Sequence, residues 1–296
     1  LGPIHPLHQR LITLLCPGPV RFEVHLPADR LAHIRARLGV EPGVIDNGEA
    51  LLARVPDDPT VSAIASLSDA PLVIDRIPDH WPGGGSSGDW KPHAMPDVVA
   101  MVLDAGPARY GRPSSRIELI PQAPWYRAHA GGVVEPRSID RRARRRVLFV
   151  CTGNTCRSPM AEAIARALLT ERSGLVGGIP TEVSSAGTSA MEGDPSSPEN
   201  NAALAAMGVP PLPHRARQLT RAMLADADVV YTMTRQHARA AQALSPDARI
   251  EPLDPEGRDV PDPIGQGLPV YEATARRLRE LIEARLRQLD HRGETP

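Results

Sequence analysis

The stretch VLFVCTGNTCRSPMAE, from Val147 to Glu162, constrains the fold more than any other part of the chain. An apolar run ends at Cys151, a short Gly-Asn-containing loop follows, and helical periodicity begins near Ser158, with Pro159 in the first turn where proline is tolerated. A strand, a tight loop and a helix start in this order aim backbone N–H groups and the positive end of a helix dipole at one point. That point suits a phosphate. The same field favours the thiolate of a cysteine placed in it, so Cys151 is expected to be ionised at neutral pH and nucleophilic. Arg157, six residues on, carries a fork that matches two oxygens of a phosphoryl group. Gly153 and Asn154 are residue types that tolerate the positive φ of a tight cradle.

The pattern after this loop alternates. Arg146–Val150 reads as a strand, Ser158–Arg172 as a helix and Thr181–Ser185 as a strand. Glu199–Met207 reads as a helix stopped by Gly208, and Thr220–Ala225 starts another. Val229–Met233 is a strand, Gln236–Ala243 a helix, and Tyr271–Leu289 a long amphipathic helix. Strands separated by helices predict an α/β fold with a parallel sheet. Before the loop the elements are shorter and mixed. Strands are expected at Val20–Leu26, Ala50–Val55, Pro71–Ile74 and Arg116–Ile120, and helices at Ala28–Leu38 and Thr60–Leu67. WPGGGSSGDWKP (Trp81–Pro92) reads as a loop. A chain of 296 residues suits two domains of roughly 150 residues each. We place them at 1–140 and 147–296, joined by the basic run 141–146, which follows the loop-like EPRSID. That run reads as a solvated linker, with a nucleic-acid patch as the alternative.

Thirty-four basic against 35 acidic residues give a net charge of -1, which excludes a surface tuned throughout to nucleic acid. No apolar run approaches the roughly 20 residues of a membrane helix, and Leu11–Leu15 is too short for a signal-peptide core. Three cysteines make no disulfide framework, so a reducing cytoplasm is expected. The chain starts at Leu1 instead of Met, as a piece of a longer protein would. Proline, 32 residues, signals many loops; a single lysine, Lys91, reflects a bias toward arginine.

From Val147 to Leu289 the sequence resembles the low-molecular-weight protein tyrosine phosphatases. Beyond the loop, the resemblance rests on SSAGTS (Ser184–Ser189), HRARQLT (His214–Thr220), ADVVYTMT (Ala227–Thr234) and DPIG (Asp262–Gly265), with Tyr271 nine residues after the Asp. It implies that Cys151 attacks phosphorus to form a phosphocysteine. It also implies that Arg157 and the loop Thr152, Gly153, Asn154, Thr155, Cys156 and Ser158 hold the phosphoryl group, and that Asp262 is the general acid. Ser158 would donate to the thiolate, and Asn154, Ser185 and His214 would support the loop. Asp254-Pro255 competes with Asp262-Pro263, but only Asp262 has the following Gly and the spacing to Tyr271; Asp254 reads as a turn residue. Cys156 is either a small buried residue or a thiol that resolves an oxidised Cys151. The resemblance calls for no cofactor and no metal, and for a phosphorylated protein as partner.

Met191 and Ile264 fall at the pocket-wall positions where phosphotyrosine-specific members carry aromatic rings. Thr155 stands where many of those members have an aliphatic residue. CTGNTCRSP and TMTRQH (Thr232–His237) resemble the protein-arginine phosphatases instead, whereas HRARQ points to the tyrosine branch. Thioredoxin-coupled arsenate reductases need further cysteines, and none follows Cys156.

From about Leu11 to Val134 the sequence resembles the later part of the YrdC-like family, which makes threonylcarbamoyl-AMP for tRNA modification. The carriers are CPGPVRFEV (Cys16–Val24), ARVPDDPTV (Ala53–Val61), LDAGPARYGRPSSRIEL (Leu103–Leu119) and RAHAGGV (Arg127–Val133). Where that family has Ser-Ala-Asn, this chain reads Asp75 to Asp79, and the family's N-terminal substrate motifs are absent. Ser114 and Ser115 keep a version of its nucleotide-loop motif. A degenerate mixed α+β domain is expected; a bifunctional synthase, or a module binding nucleotide or double-stranded RNA, is the alternative.

Overall fold

The computed structural model describes residues 4–68, 72–73 and 109–291. The expected strand Pro71–Ile74 lies partly outside these residues. The loop Trp81–Pro92, the segment Asp75–Asp79 and the first part of Leu103–Leu119 lie outside them as well. The chain forms two compact units: one of residues up to Arg10 together with Arg141 onward, the other of Leu11–Asp140.

The unit of Leu11–Asp140 has a mixed four-stranded sheet of β1 (Val20–His25), β2 (Ala50–Ala53), β3 (Ser115–Leu119) and β4 (Tyr126–Ala128), in the order β2-β1-β3-β4. β1 and β3 are parallel; both edge strands are antiparallel to their neighbours. Helices α2 (Ala28–Leu38) and α3 (Pro59–Leu67) belong to this unit, and α1 (Pro6–Leu15) enters it at Leu11. Asp58 caps α3 by accepting the Val61 N–H at 2.9 Å, and Pro59 occupies the first turn.

The other unit is α/β. Helix α4 (Pro136–Arg142) leads to β5 (Arg145–Cys151), then α5 (Arg157–Glu171), β6 (Leu175–Val176), β7 (Ile179–Gly187) and α6 (Pro198–Ala206). It continues with α7 (Arg221–Asp226), β8 (Val229–Thr232), α8 (Arg235–Leu244), β9 (Ile250–Pro252) and α9 (Leu268–His291). The sheet order is β6-β7-β5-β8-β9. β7, β5, β8 and β9 are parallel as expected, but the short edge strand β6 runs antiparallel to β7. β5 is buried along nearly its whole length, which fits the apolar run Val147–Cys151 that follows its two arginines. α5 packs on β7, α6 and α9 and is buried on almost every side. α9 contributes Tyr271, Ala275, Leu278, Ile282 and Leu286, a stripe at helical spacing facing the core. Each such leucine or isoleucine stabilises the fold by roughly 1.5–3 kcal/mol.

The basic run is a correction to the sequence reading, because it is neither a linker nor a patch. EPRSID is the start of α4, with Pro136 at its first position, and Arg145 and Arg146 belong to β5. Arg145 is buried and donates to the Val176 carbonyl at 3.0 Å. Arg141 and Arg146 both pair with Asp226, and Arg144 pairs with Glu182. Arg10 donates to the carbonyls of Arg142 and Arg144 and to Asp228. The loop reading failed because Pro, Ser and Asp signal turns as readily as helix starts. Among the described residues, no helix is long and apolar enough to cross a membrane.

Candidate active site

From β5 the chain passes to β7 on one side and then to β8 on the other. The C-terminal end of β5 is therefore where the strand order reverses, the position at which open α/β sheets bind ligands. Cys151 is the last residue of β5, Thr152–Cys156 form the loop, and Arg157 opens α5.

Cys151 is buried, 3% exposed as a residue. Ser158 Oγ lies 3.0 Å from its sulfur, and the Asn154 N–H donates to the sulfur at 3.3 Å. Burial pushes the Cys151 thiol up, while hydrogen bonds from Ser158, the Arg157 charge and the Asn154 N–H pull it down; the balance lies above the ordinary cysteine value. The sequence reading weighed the donors and omitted the desolvation of a sulfur this deeply placed.

Asn154 is the hub of the loop. Its φ is 56°, the left-handed conformation anticipated for it, whereas Gly153 does not use positive φ. Its Nδ2 donates to Ser158 Oγ and to Ser185 Oγ, both at 2.9 Å. Its Oδ1 accepts the Arg217 N–H at 2.9 Å, and its carbonyl lies 2.6 Å from His214 Nε2, which must carry the proton. Ser185 donates to Glu162 Oε2 at 2.7 Å, and Glu162 pairs with Arg166. A bonded chain thus runs from the sulfur to the sheet and back to α5. The structure brings Asn154, Ser158, Ser185 and His214 together around Cys151.

Arg157 is buried, and its two terminal nitrogens are engaged: Nη1 donates to the Val260 carbonyl at 2.9 Å, and Nη2 pairs with Asp262. Its Nε–H is buried with no partner among the described residues, so it can donate to a phosphoryl oxygen. Asp262 is exposed, with Oδ1 accepting the Ile264 N–H at 3.3 Å. Its loop is tied down by the Val260 N–H to the Met233 carbonyl, and by Asp259 accepting the Arg235 N–H. Asp254 is more than a turn residue. It is buried, accepts the Glu256 N–H, and pairs with Arg258 and with Arg277 of α9. Its carboxylate is therefore committed to structure, which removes the competitor to Asp262.

Thr155 is half-buried, with Oγ1 3.6 Å from the Cys156 sulfur; its carbonyl accepts the Ser197 N–H and the Ser196 hydroxyl. The Cys156 sulfur lies 3.4 Å from Tyr271 Oη and 3.7 Å from Ser197 Oγ, so its thiol faces the core. Burial, with the Cys156 contact adding, pushes Tyr271 up to about 12, which keeps its hydroxyl a donor. Met191 and Ile264 are 72% and 65% exposed, each on a loop beside the cradle. Ile264 follows Asp262 by two residues, and Met191 follows the turn whose Ser189 N–H holds the Thr152 carbonyl at 3.0 Å.

Three participants escaped the sequence reading. Gly187 ends β7 against the loop: a Cβ there would stand 2.3 Å from the Thr152 carbonyl oxygen and 2.9 Å from the Asn154 nitrogen. Gln218 brackets the following turn, accepting the Ala190 N–H and donating to the Thr188 carbonyl. His237 of α8 meets Thr152, with Nε2 2.9 Å from Thr152 Oγ1. SSAGTS and HRARQ contained the first two signals as motif positions; nothing local to TMTRQH points across 85 residues to Thr152.

Residues 146–294 match the family model described as low molecular weight phosphotyrosine protein phosphatase. The chain belongs to this family and is an enzyme of the cysteine-dependent phosphatase class. It is 39% identical over 151 residues to a low molecular weight protein-tyrosine-phosphatase of Streptomyces coelicolor, covering 47% of this chain and 87% of that one. It is 36% identical over 149 residues to a protein-arginine-phosphatase of Bacillus subtilis, covering 48% and 95%. Among solved structures, the YwlE arginine phosphatase from Geobacillus stearothermophilus aligns at 35% identity and a TM-score of 0.44, over 49% of this chain and 92% of that one.

Proposed function

We propose that this protein removes phosphate from phosphorylated arginine side chains of proteins, with Cys151 as nucleophile. The observation that carries the chemistry is the buried Cys151 sulfur under the Asn154 N–H and Ser158 hydroxyl, with the unpaired Arg157 Nε–H beside them. The Cys151 thiol gives up its proton to the Asp262 carboxylate and attacks phosphorus as the thiolate; an S–P bond forms as the P–N bond breaks. Asp262, released from Arg157 as the guanidinium turns to the phosphoryl oxygens, gives its proton to the leaving nitrogen. Asp262 then takes a proton from water, the water oxygen bonds to phosphorus, the S–P bond breaks, and inorganic phosphate leaves.

Thr155 and the aliphatic walls support the arginine reading. A hydroxyl can accept a guanidinium N–H that an aliphatic side chain would leave unpaired, and Met191 and Ile264 offer no ring to clamp a phenol. Phosphotyrosine is the second reading, favoured by HRARQ and by the 39% identical tyrosine phosphatase. The test is kcat/KM on phosphoarginine and phosphotyrosine peptides for wild type, Cys151→Ser and Thr155→Ile. Cys151→Ser is expected to release no phosphate. Thr155→Ile is expected to lower phosphoarginine hydrolysis about ten- to a hundredfold, the cost of a buried donor left unpaired, and to spare phosphotyrosine. A wild-type preference for phosphotyrosine that Thr155→Ile leaves unchanged would assign the second reading.

For Leu11–Asp140 the YrdC-like resemblance supports a degenerate module. Two of its motifs meet there: a Cβ on Gly132 would stand 2.3 Å from Ser115 Cα. The ion-paired arginine run lends no support to an RNA partner.

A further inference from the structure

Thr152, the residue after Cys151, is held from two sides. Its carbonyl accepts the Ser189 N–H at 3.0 Å in the turn beyond β7. Its hydroxyl lies 2.9 Å from Nε2 of His237, which projects from the first turn of α8 and is 4% exposed. The other ring nitrogen, Nδ1, lies 2.9 Å from Thr234 Oγ1, and Thr234 caps α8 by accepting the His237 N–H at 3.3 Å. The imidazole is therefore fixed at both nitrogens, between a helix cap and the phosphate-binding loop.

We propose that His237 is a positioning residue for phosphoryl transfer, its neutral imidazole clamping the Thr152 hydroxyl so that the first limb of the loop keeps its N–H groups aimed at the phosphoryl site. This rests on the reading of the Cys151 loop as that site.

Chemistry and surroundings agree on the neutral ring. The charged groups facing it are Arg157 at the start of α5, and Asp262 and Asp259 on the acid loop. Burial first, then the Arg157 charge, lowers the His237 pKa to about 4, against the smaller opposing pull of the two aspartates. A neutral imidazole has one donor and one acceptor nitrogen. Thr234 Oγ1 already accepts the His237 N–H, so its hydroxyl proton is free to go to Nδ1. Nε2 then carries the ring proton and donates to Thr152 Oγ1. The Thr152 hydroxyl proton is left free for an oxygen in the pocket. An imidazolium in this place would repel Arg157 and compete with it for Asp262. A side chain that only filled space would have no need of polar contacts at both ends.

The experiment uses the full chain, p-nitrophenyl phosphate as substrate and inorganic phosphate as competitive inhibitor. The variants are His237→Leu, which fills space without polar atoms, His237→Asn, which reaches only the Thr234 side, and His237→Gln, whose amide reaches the Nε2 side. Thr152→Val and the His237→Leu/Thr152→Val double variant complete the set. His237→Leu is expected to lower kcat about tenfold, the worth of one hydrogen bond, and to weaken phosphate inhibition, with Tm little changed. His237→Gln should restore most of the loss and His237→Asn little of it. The double variant should fall within about twofold of the worse single variant, because both break the same contact. Wild-type kinetics in His237→Leu, equal rates for His237→Gln and His237→Leu, or multiplicative losses in the double variant would overturn the proposal. Should His237→Leu not fold, the decision passes to Thr152→Val, which must show the loss, and His237→Gln, which must not. A wild-type protein that releases no phosphate overturns the phosphatase reading itself, whereas active wild type with an indifferent His237→Leu overturns only the clamp.

Discussion

At the residue scale, Gly187 shows how little room the cradle has. Its Cα sits where a methyl group would overlap the Thr152 carbonyl oxygen and crowd the Asn154 nitrogen. Both are backbone atoms, so neither can rotate away. Gly187 is also bonded on both sides, its N–H to the Arg217 carbonyl and its own carbonyl to the Leu219 N–H. Gly187→Ala therefore has to move the loop, by an amount comparable to the 1 Å displacement that costs about 100-fold in rate. Overpacking of this kind costs about 1–3 kcal/mol in stability. Steady-state kcat with a urea melt checks both; a kcat within threefold of wild type would show that the loop tolerates the shift. The sequence held this residue inside SSAGTS, but only the fold shows what it is pressed against. The same holds for Asp254, whose Asp-Pro context reads as a turn while its carboxylate is spent on Arg258 and Arg277.

At the element scale, the strand–loop–helix unit was legible because each part has its own local signal: an apolar β5, a Gly-Asn loop and a proline in the first turn of α5. The long stripe of α9 was legible for the same reason. What was not legible has no local period. β6 is two residues long and β9 three, and α4 is seven residues rich in turn formers. The charge state of the loop also lay out of reach, because it is a contest between burial and donors that only coordinates can weigh. Ser158, in the first turn of α5, is the donor to remove. Thiolate reacts with iodoacetamide and thiol does not, so the alkylation rate of Cys151 rises with pH through its pKa. Burial holds that pKa up, and the Ser158 hydroxyl opposes it. Ser158→Ala removes stabilisation from the charged form only, so the curve moves to higher pH and the rate at fixed neutral pH falls. A hydrogen bond to a charged group is worth about 1.5–3 kcal/mol, or about one to two pH units in the midpoint. An unmoved curve would mean that Ser158 serves the loop's shape and not its charge.

At the scale of the whole molecule, the two compact units differ in what their polar side chains are free to do. The unit containing Cys151 gathers its motif residues around one sulfur. In Leu11–Asp140, by contrast, the polar groups of Ser115 and Glu118 are used up by the fold. Ser115 is fully buried; its hydroxyl accepts the Val134 N–H at 2.7 Å and faces the Val134 carbonyl at 3.1 Å. Gly132 lies against the Ser115 backbone, where a Cβ would stand 2.3 Å from Ser115 Cα. Glu118 on the sheet is likewise bound by Arg127, Arg116 and His129. A serine hydroxyl whose single proton goes to the Val134 carbonyl cannot also donate to a nucleotide phosphate without breaking that bond, worth about 1 kcal/mol net and more when left unmade in a buried site. Incubation of the full chain with threonine, bicarbonate and ATP is therefore expected to yield no threonylcarbamoyl-AMP, while the same preparation releases phosphate from an aryl phosphate. Chromatography of the nucleotide products reads the first activity and a phosphate assay the second. A threonylcarbamoyl-AMP peak that disappears in Ser115→Ala would show that Ser115 serves a nucleotide after all, and would make the chain bifunctional.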